Sequence, residues 1–144
     1  NTSRTDDASS MLLKKTGATV VAVFKVNPLF NSRVLYRAYT KEGRDKTIED
    51  IDVGLFSQNS ANNSDVVRLM TNDIPCGEYR YAQSEVGLWY LEKGVGYTCR
   101  VSVPPDSHRF VGQITVGWAQ QPENIDQVKF MLEIASAMLT KRGN

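Results

Sequence analysis

Residues 96–118, GYTCRVSVPPDSHRFVGQITVGW, constrain the fold more than any other stretch of this chain. Apolar and polar residues alternate on either side of a turn. Tyr97, Cys99, Val101 and Val103 share one face of a first strand, and Phe110, Ile114, Val116 and Trp118 share one face of a second. Between them, Pro104-Pro105-Asp106-Ser107 supplies turn chemistry, with φ fixed by proline and backbone bonds offered by Asp and Ser. A long amphipathic segment follows. Ile125, Val128, Leu132, Ala135 and Leu139 recur at spacings of three and four, which predicts a helix whose stripe covers one face of the sheet. Pro122 suits its first turn and Glu123 its positive end, while Lys141, Arg142 and Gly143 have the charge and cap expected of its C-terminus.

The preceding residues extend the sheet. Residues 1–16 read as helical near their end, with Asp6 and Asp7 placed for a helix N-terminus and Met11, Leu12 and Leu13 able to pack; Gly17 ends the segment. Residues 18–26 form a strand, with Val20, Ala22, Phe24 and Val26 on one face and Val21 and Val23 on the other. Asn27-Pro28 breaks it. Residues 33–40 form a second, in which Val34, Tyr36 and Ala38 alternate with Leu35, Arg37 and Tyr39 before a turn at residues 41–44. A short helix is expected at residues 47–50 and a polar loop at 58–64. Ser64 then caps a short apolar turn of Val66, Val67, Leu69 and Met70 that Pro75 stops. Residues 78–84 read as loop or short helix and 86–91 as a strand, with a turn at Lys93-Gly94. The sum is an α+β fold: a central antiparallel sheet flanked by N- and C-terminal helices.

Composition narrows function. The 144 residues favour one core. With 17 basic and 16 acidic side chains the net charge is +1, which argues against nucleic acid as the main partner. The local basic stretch of Arg33, Arg37, Lys41 and Arg44 is followed closely by acidic residues and reads as solvated surface. No apolar run reaches the ~18 residues a membrane span needs. The chain opens at Asn1 on polar residues without a Met, which points to a fragment or a processed product.

Catalytic constellations are absent, so an enzyme is not expected. The single histidine, His108, follows Asp106 and Ser107 directly, and consecutive residues cannot easily form a nucleophile–base–orienter chain. Gly94-Val95-Gly96 lacks the third glycine and the following helix of a phosphate loop. Cys76 and Cys99, 23 positions apart with no other Cys or His nearby, offer too few ligands for zinc, leaving two thiols or one disulfide. No cofactor is expected. Tyr79, Tyr81, Trp89 and Tyr90 form an aromatic cluster that serves either as core or as anchors for a protein partner.

A sheet between terminal helices resembles the PAS/GAF class of sensory and binding domains. A second resemblance rests on residues. Tyr97-Thr98-Cys99, the turn, and Phe110-Val111-Gly112-Gln113-Ile114-Thr115-Val116-Gly117-Trp118 resemble the C-terminal part of T-even-type phage holins, with a weaker likeness over residues 20–43. That resemblance implies a juxtamembrane helical segment at 1–16 and a globular periplasmic domain at 17–144, below a transmembrane helix upstream of Asn1. It implies self-association in the host inner membrane through that helix, timed lysis, and inhibition by a phage antiholin bound through the aromatic cluster or residues 58–65. The family pairs its strand cysteine, here Cys99, with one in the C-terminal helix. The aligned position here lies near Leu132, so the resemblance implies a Cys76–Cys99 bridge, which the periplasm favours. The alternative reading is a PAS/GAF-like domain of a bacterial receptor that binds a small ligand.

Overall fold

A computed structural model describes residues 2–140. Six strands, β1 (Val20–Asn27), β2 (Ser32–Thr40), β3 (Gly43–Arg44), β4 (Cys76–Glu78), β5 (Tyr97–Val103) and β6 (Gly112–Trp118), form one antiparallel sheet in the order β3-β2-β1-β6-β5-β4. Its helices are α1 (Thr2–Thr16), α2 (Ser60–Met70), α3 (Glu85–Glu92) and α4 (Ile125–Thr140). The hairpin read from 96–118 is β5 and β6, paired from Tyr97↔Trp118 to Val103↔Gly112.

Both sheet faces are covered, and the alternation of each strand sorts its side chains between two cores. Val21, Val23, Cys99, Val101, Ile114 and Val116 pack under α1 and α4, against Ala8, Leu12, Val128, Leu132 and Ala135. Val20, Ala22, Phe24 and Val26 point the other way, beneath Val66 and Leu69 of α2 and Val86, Trp89 and Tyr90 of α3. Burying a side chain such as Leu12 or Leu132 contributes about 2 kcal/mol. The α4 stripe falls where its spacing places it. The predicted ending at Lys141, Arg142 and Gly143 lies outside the described residues.

Several expectations change. The helix at the start spans Thr2–Thr16, so Asp6 and Asp7 sit beyond its first turn, and Asp6 instead accepts a hydrogen bond from the Tyr39 hydroxyl. Ala8 and Leu12 are buried, so α1 packs as part of the core. Phe110 precedes β6 at φ +44° and packs in the second core, opposite Ile114 and Val116. Simple alternation fails in β2. Val23 pairs with Arg37 and Phe24 with Leu35, so Tyr36 is the extra residue of a β-bulge. Leu35 therefore joins Ala38 on the second face, and Tyr36 joins Tyr39 on the first.

The two largest differences build the second layer. Residues 58 and 59 are loop, but residues 60–64 already belong to α2, so the cap is not Ser64. Asn59 caps α2 by accepting from the Asn62 amide at 2.9 Å, and Asn62, Val66 and Leu69 become one buried helical stripe. Residues 86–91 are helix, not strand. Ser84 caps α3 by accepting from the Gly87 amide at 3.1 Å. The helical period wins because it buries Val86, Trp89 and Tyr90 together and turns Leu88 to solvent.

Candidate functional site

The strands alternate apolar with polar residues, yet β5 and β6 are buried on both faces. On the α2/α3 side the buried side chains are Thr98, Arg100 and Ser102 of β5 and Gln113 and Thr115 of β6. Arg33 of β2 faces the same space. Arg33 and Arg100 are each only 8% exposed. Two guanidiniums therefore lie inside the protein, where a charge is costly unless paired and hydrogen-bonded.

Their partners come from several elements. Arg33 donates from Nε to the Gly54 carbonyl at 3.0 Å, from Nη1 to Gln113 Oε1 at 3.1 Å and from Nη2 to Asn62 Oδ1 at 2.9 Å. Asn62 is held in turn by its Nδ2 donating to the Leu55 carbonyl at 2.8 Å. Gln113 is oriented by Nε2 donating to Thr115 Oγ1 at 2.9 Å. Arg100 Nη1 donates to Asp65 Oδ2 and to Thr98 Oγ1, both at 3.1 Å. Asn62 and Asp65 stand three apart on α2 and so share the helix face turned to the sheet.

Burial, and next the nearby Arg100 charge, lower the Arg33 pKa to about 10, so it remains protonated at neutral pH. Burial pushes the Tyr90 hydroxyl up to about 12, so it stays neutral. Phe24 and Tyr79 supply aromatic faces, with the guanidinium carbons of Arg33 and Arg100 at 5.7 and 5.8 Å from the respective ring centroids. The space left among Arg33, Asn62, Tyr90, Arg100 and Gln113 is about 20 Å³, room for roughly one water molecule. A wider groove of about 540 Å³ between α1 and the β2–β3 hairpin is open, and its lining includes the Leu13, Lys14 and Lys41 side chains. The small cavity is the candidate site, because there the polar groups are buried, convergent and mutually oriented.

The sequence-predicted residues fall elsewhere or only at its margin. Tyr79, Trp89 and Tyr90 are 4–5% exposed and belong to the core, which removes them from contact with a protein partner. Tyr79 and Tyr90 pack edge to face at 5.4 Å and wall the cavity. Tyr81 alone of the four is exposed. Cys76 and Cys99 face each other across β4 and β5 and are bonded through sulfur. Cys99 points into the α1/α4 core, away from the cavity. His108 is exposed, with Nδ1 2.9 Å from the Met70 carbonyl oxygen. Arg33, read as surface, is buried. The sequence shows the polar alternation of β5 and β6 but does not mark that face as covered.

No sequence-family model matches the chain, and no curated protein sequence matches it. Solved structures do. The chain is similar to the chromophore-binding domain of an unusual bacteriophytochrome from R. palustris, at 14% identity and TM-score 0.65 over 95% of this chain. It spans 53% of that protein's chain. It is similar to the GAF domain/HD domain protein from Geobacter sulfurreducens, at 11% identity and TM-score 0.66, covering 96% of this chain and 90% of that one. The GAF domain of a two-component sensor histidine kinase from Bacillus halodurans matches at 12% identity and TM-score 0.59, covering 93% and 94%. The fold is GAF-like. The α+β architecture expected from the sequence, and its PAS/GAF likeness, are those observed.

Proposed function

We propose that this GAF-like domain binds a small molecule in the cavity between the sheet and α2/α3, and serves as the sensory part of a larger receptor. The observation that carries the reading is the convergence of Arg33, Arg100, Gln113, Asn62 and Tyr90 on one buried space. A core built for stability alone is better filled with apolar side chains, and buried polar clusters mark binding sites. One of the similar structures is itself a chromophore-binding domain. The role is binding rather than catalysis, since the cluster offers hydrogen-bond donors without a nucleophile–base pair. The reading is tested by a thermal-shift screen of metabolites, followed by ¹⁵N spectra of any hit. Shifts confined to Arg33, Asn62, Tyr90 and Arg100 support it; hits that map only to the outer surface refute it.

The likeness of β5–β6 to T-even holins sustains a second reading, a periplasmic domain timing lysis under antiholin control. The Cys76–Cys99 bond favours an oxidising compartment, as that reading requires. Tyr81 is then the member of the aromatic cluster exposed to an antiholin. Among the described residues no helix is long and apolar enough to cross a membrane, so self-association in the membrane would need a span outside them. Failure of a phage antiholin to bind the domain in a pull-down would remove this alternative.

A further inference from the structure

We infer that the cavity binds a compact monocarboxylate, its carboxylate held between the Arg33 and Arg100 guanidiniums. This rests on the ligand-binding reading above and narrows it to a ligand class.

Charge balance is the first argument. Among the described residues, Arg100 forms an ion pair with Asp65 at 3.1 Å, whereas the exposed Asp52 accepts from the Arg33 backbone amide and not from its guanidinium. All three bonds of Arg33 end on neutral oxygens, those of Gly54, Asn62 and Gln113. Both guanidiniums line the cavity while Asp65 and Asp52 lie outside its lining, so the cavity wall is positive, and the Arg100 charge makes that of Arg33 harder to bury. A single negative charge complements it.

Donor geometry is the second. A guanidinium presents five N–H groups in a planar fork that matches a carboxylate. Arg33 spends three of them, one from each nitrogen. The bonds of Arg100 to side-chain acceptors among the described residues both leave from Nη1. Donors therefore remain on both arginines.

Size and walls are the third. Phe24, Val53, Val86 and the Tyr79 and Tyr90 rings line the space, so the group attached to the carboxylate meets apolar surface. The open space is about 20 Å³, so an acid enters only as lining side chains shift, and a compact acid asks for the smallest shift. Gln83 and Ser84, on the loop entering α3, form part of the lining and are partly exposed.

The test uses the whole chain with sodium acetate, propionate and benzoate, their neutral amides, and inorganic phosphate, all at one ionic strength. Arginine Nε–Hε resonances and Tm are read. At least one acid should give saturable shifts of both Arg33 and Arg100, with its amide silent. Arg33→Lys, which keeps the charge and loses the fork, should weaken binding at least tenfold. Asp65→Asn, at the more exposed end of the cluster, should tighten binding several-fold by freeing Arg100; it also keeps the test open should Arg33→Lys not fold. Acids and amides binding alike would overturn the inference but leave the ligand-binding reading standing. Phosphate binding where the acids do not, or an Asp65→Asn protein that binds no better, would also overturn it. Silence from acids, amides and phosphate alike would overturn the carboxylate inference, and an empty metabolite screen besides would end the broader reading.

Discussion

Gln113 is where the electrostatic reading of the cavity can be tested without any ligand. It accepts from Arg33 Nη1 at 3.1 Å and is fully buried on β6. Gln113→Leu keeps the size and removes the acceptor, leaving a buried guanidinium N–H unsatisfied. Hydrogen bonds to charged groups contribute about 1.5–3 kcal/mol. At roughly 4 °C per kcal/mol for a chain of this length, Tm should fall by about 6–12 °C. Gln113→Glu is nearly isosteric and puts a carboxylate at the same place. At 3.1 Å and an effective dielectric of 20, the attraction to Arg33 is about 5 kcal/mol, set against a desolvation cost of several kcal/mol for the new charge. The terms nearly cancel, and Thr115 can rotate its hydroxyl to donate in place of the lost Nε2 contact. The Glu variant should therefore melt within a few degrees of the parent while the Leu variant does not. Differential scanning calorimetry at pH 7 measures both. If Glu destabilises as much as Leu, the cavity wall does not favour a negative charge and the argument built on it fails.

Three further outcomes are expected. In Gly87→Ala the new Cβ would collide with the Tyr79 hydroxyl and lie 3.2 Å from Ala82 Cα, so Tyr79 loses its seat and its bond from the Gln83 amide. Unfolding in urea should show a loss of about 1–3 kcal/mol, and an unchanged midpoint would refute the packing described for α3. Removing the disulfide by Cys76→Ala with Cys99→Ala should cost about 3 kcal/mol, from the loop-closure entropy of a link with sequence separation 23; reduction of the parent protein should match it. The third concerns acid. Asp45 is held below its ordinary value of 3.8 by hydrogen bonds from Thr47 and then from Trp89 Nε1. A carboxylate whose folded pKa is lowered stabilises the fold above its unfolded value and loses that contribution as pH falls through the folded one. Trp89 fluorescence should thus be flat above about pH 5 and change below 3.8. Asp45→Asn should abolish that change, whereas Trp118, bonded to the Thr16 carbonyl, provides no titrating partner.

The elements legible in the sequence are those where a single period governs the chain. Val20–Val26, Tyr97–Val103 and the α4 stripe each alternate or repeat cleanly, and each packs as its period requires. Residues 86–91 misled because Val, Trp, Tyr and Leu suit strands by propensity, and burial of three of them on the sheet decided for helix. Residues 58–64 misled because Asn and Ser favour loops, whereas here Asn59 is the cap and Asn62 a buried ligand of Arg33. The site itself was hidden for a related reason. Polar alternation on a strand ordinarily means solvent, and nothing local marks Thr98, Arg100, Gln113 and Thr115 as covered. Only the position of α2 and α3, set by long-range packing, makes them an interior.

The bulge at Tyr36 decides which residue of β2 supplies the charge. Counting back from Ala38 in steps of two would turn Val34 and Ser32 toward α2 and α3 and leave Arg33 under α1 and α4. The additional residue reverses that phase, so Arg33 enters the cavity opposite Val26. The electrostatic character of the site is thus written in chain length as much as in side-chain identity. Deleting Tyr36 would remove the bulge and leave Arg33 in the cavity, whereas inserting one residue between Arg33 and Leu35 would turn the guanidinium to the opposite face.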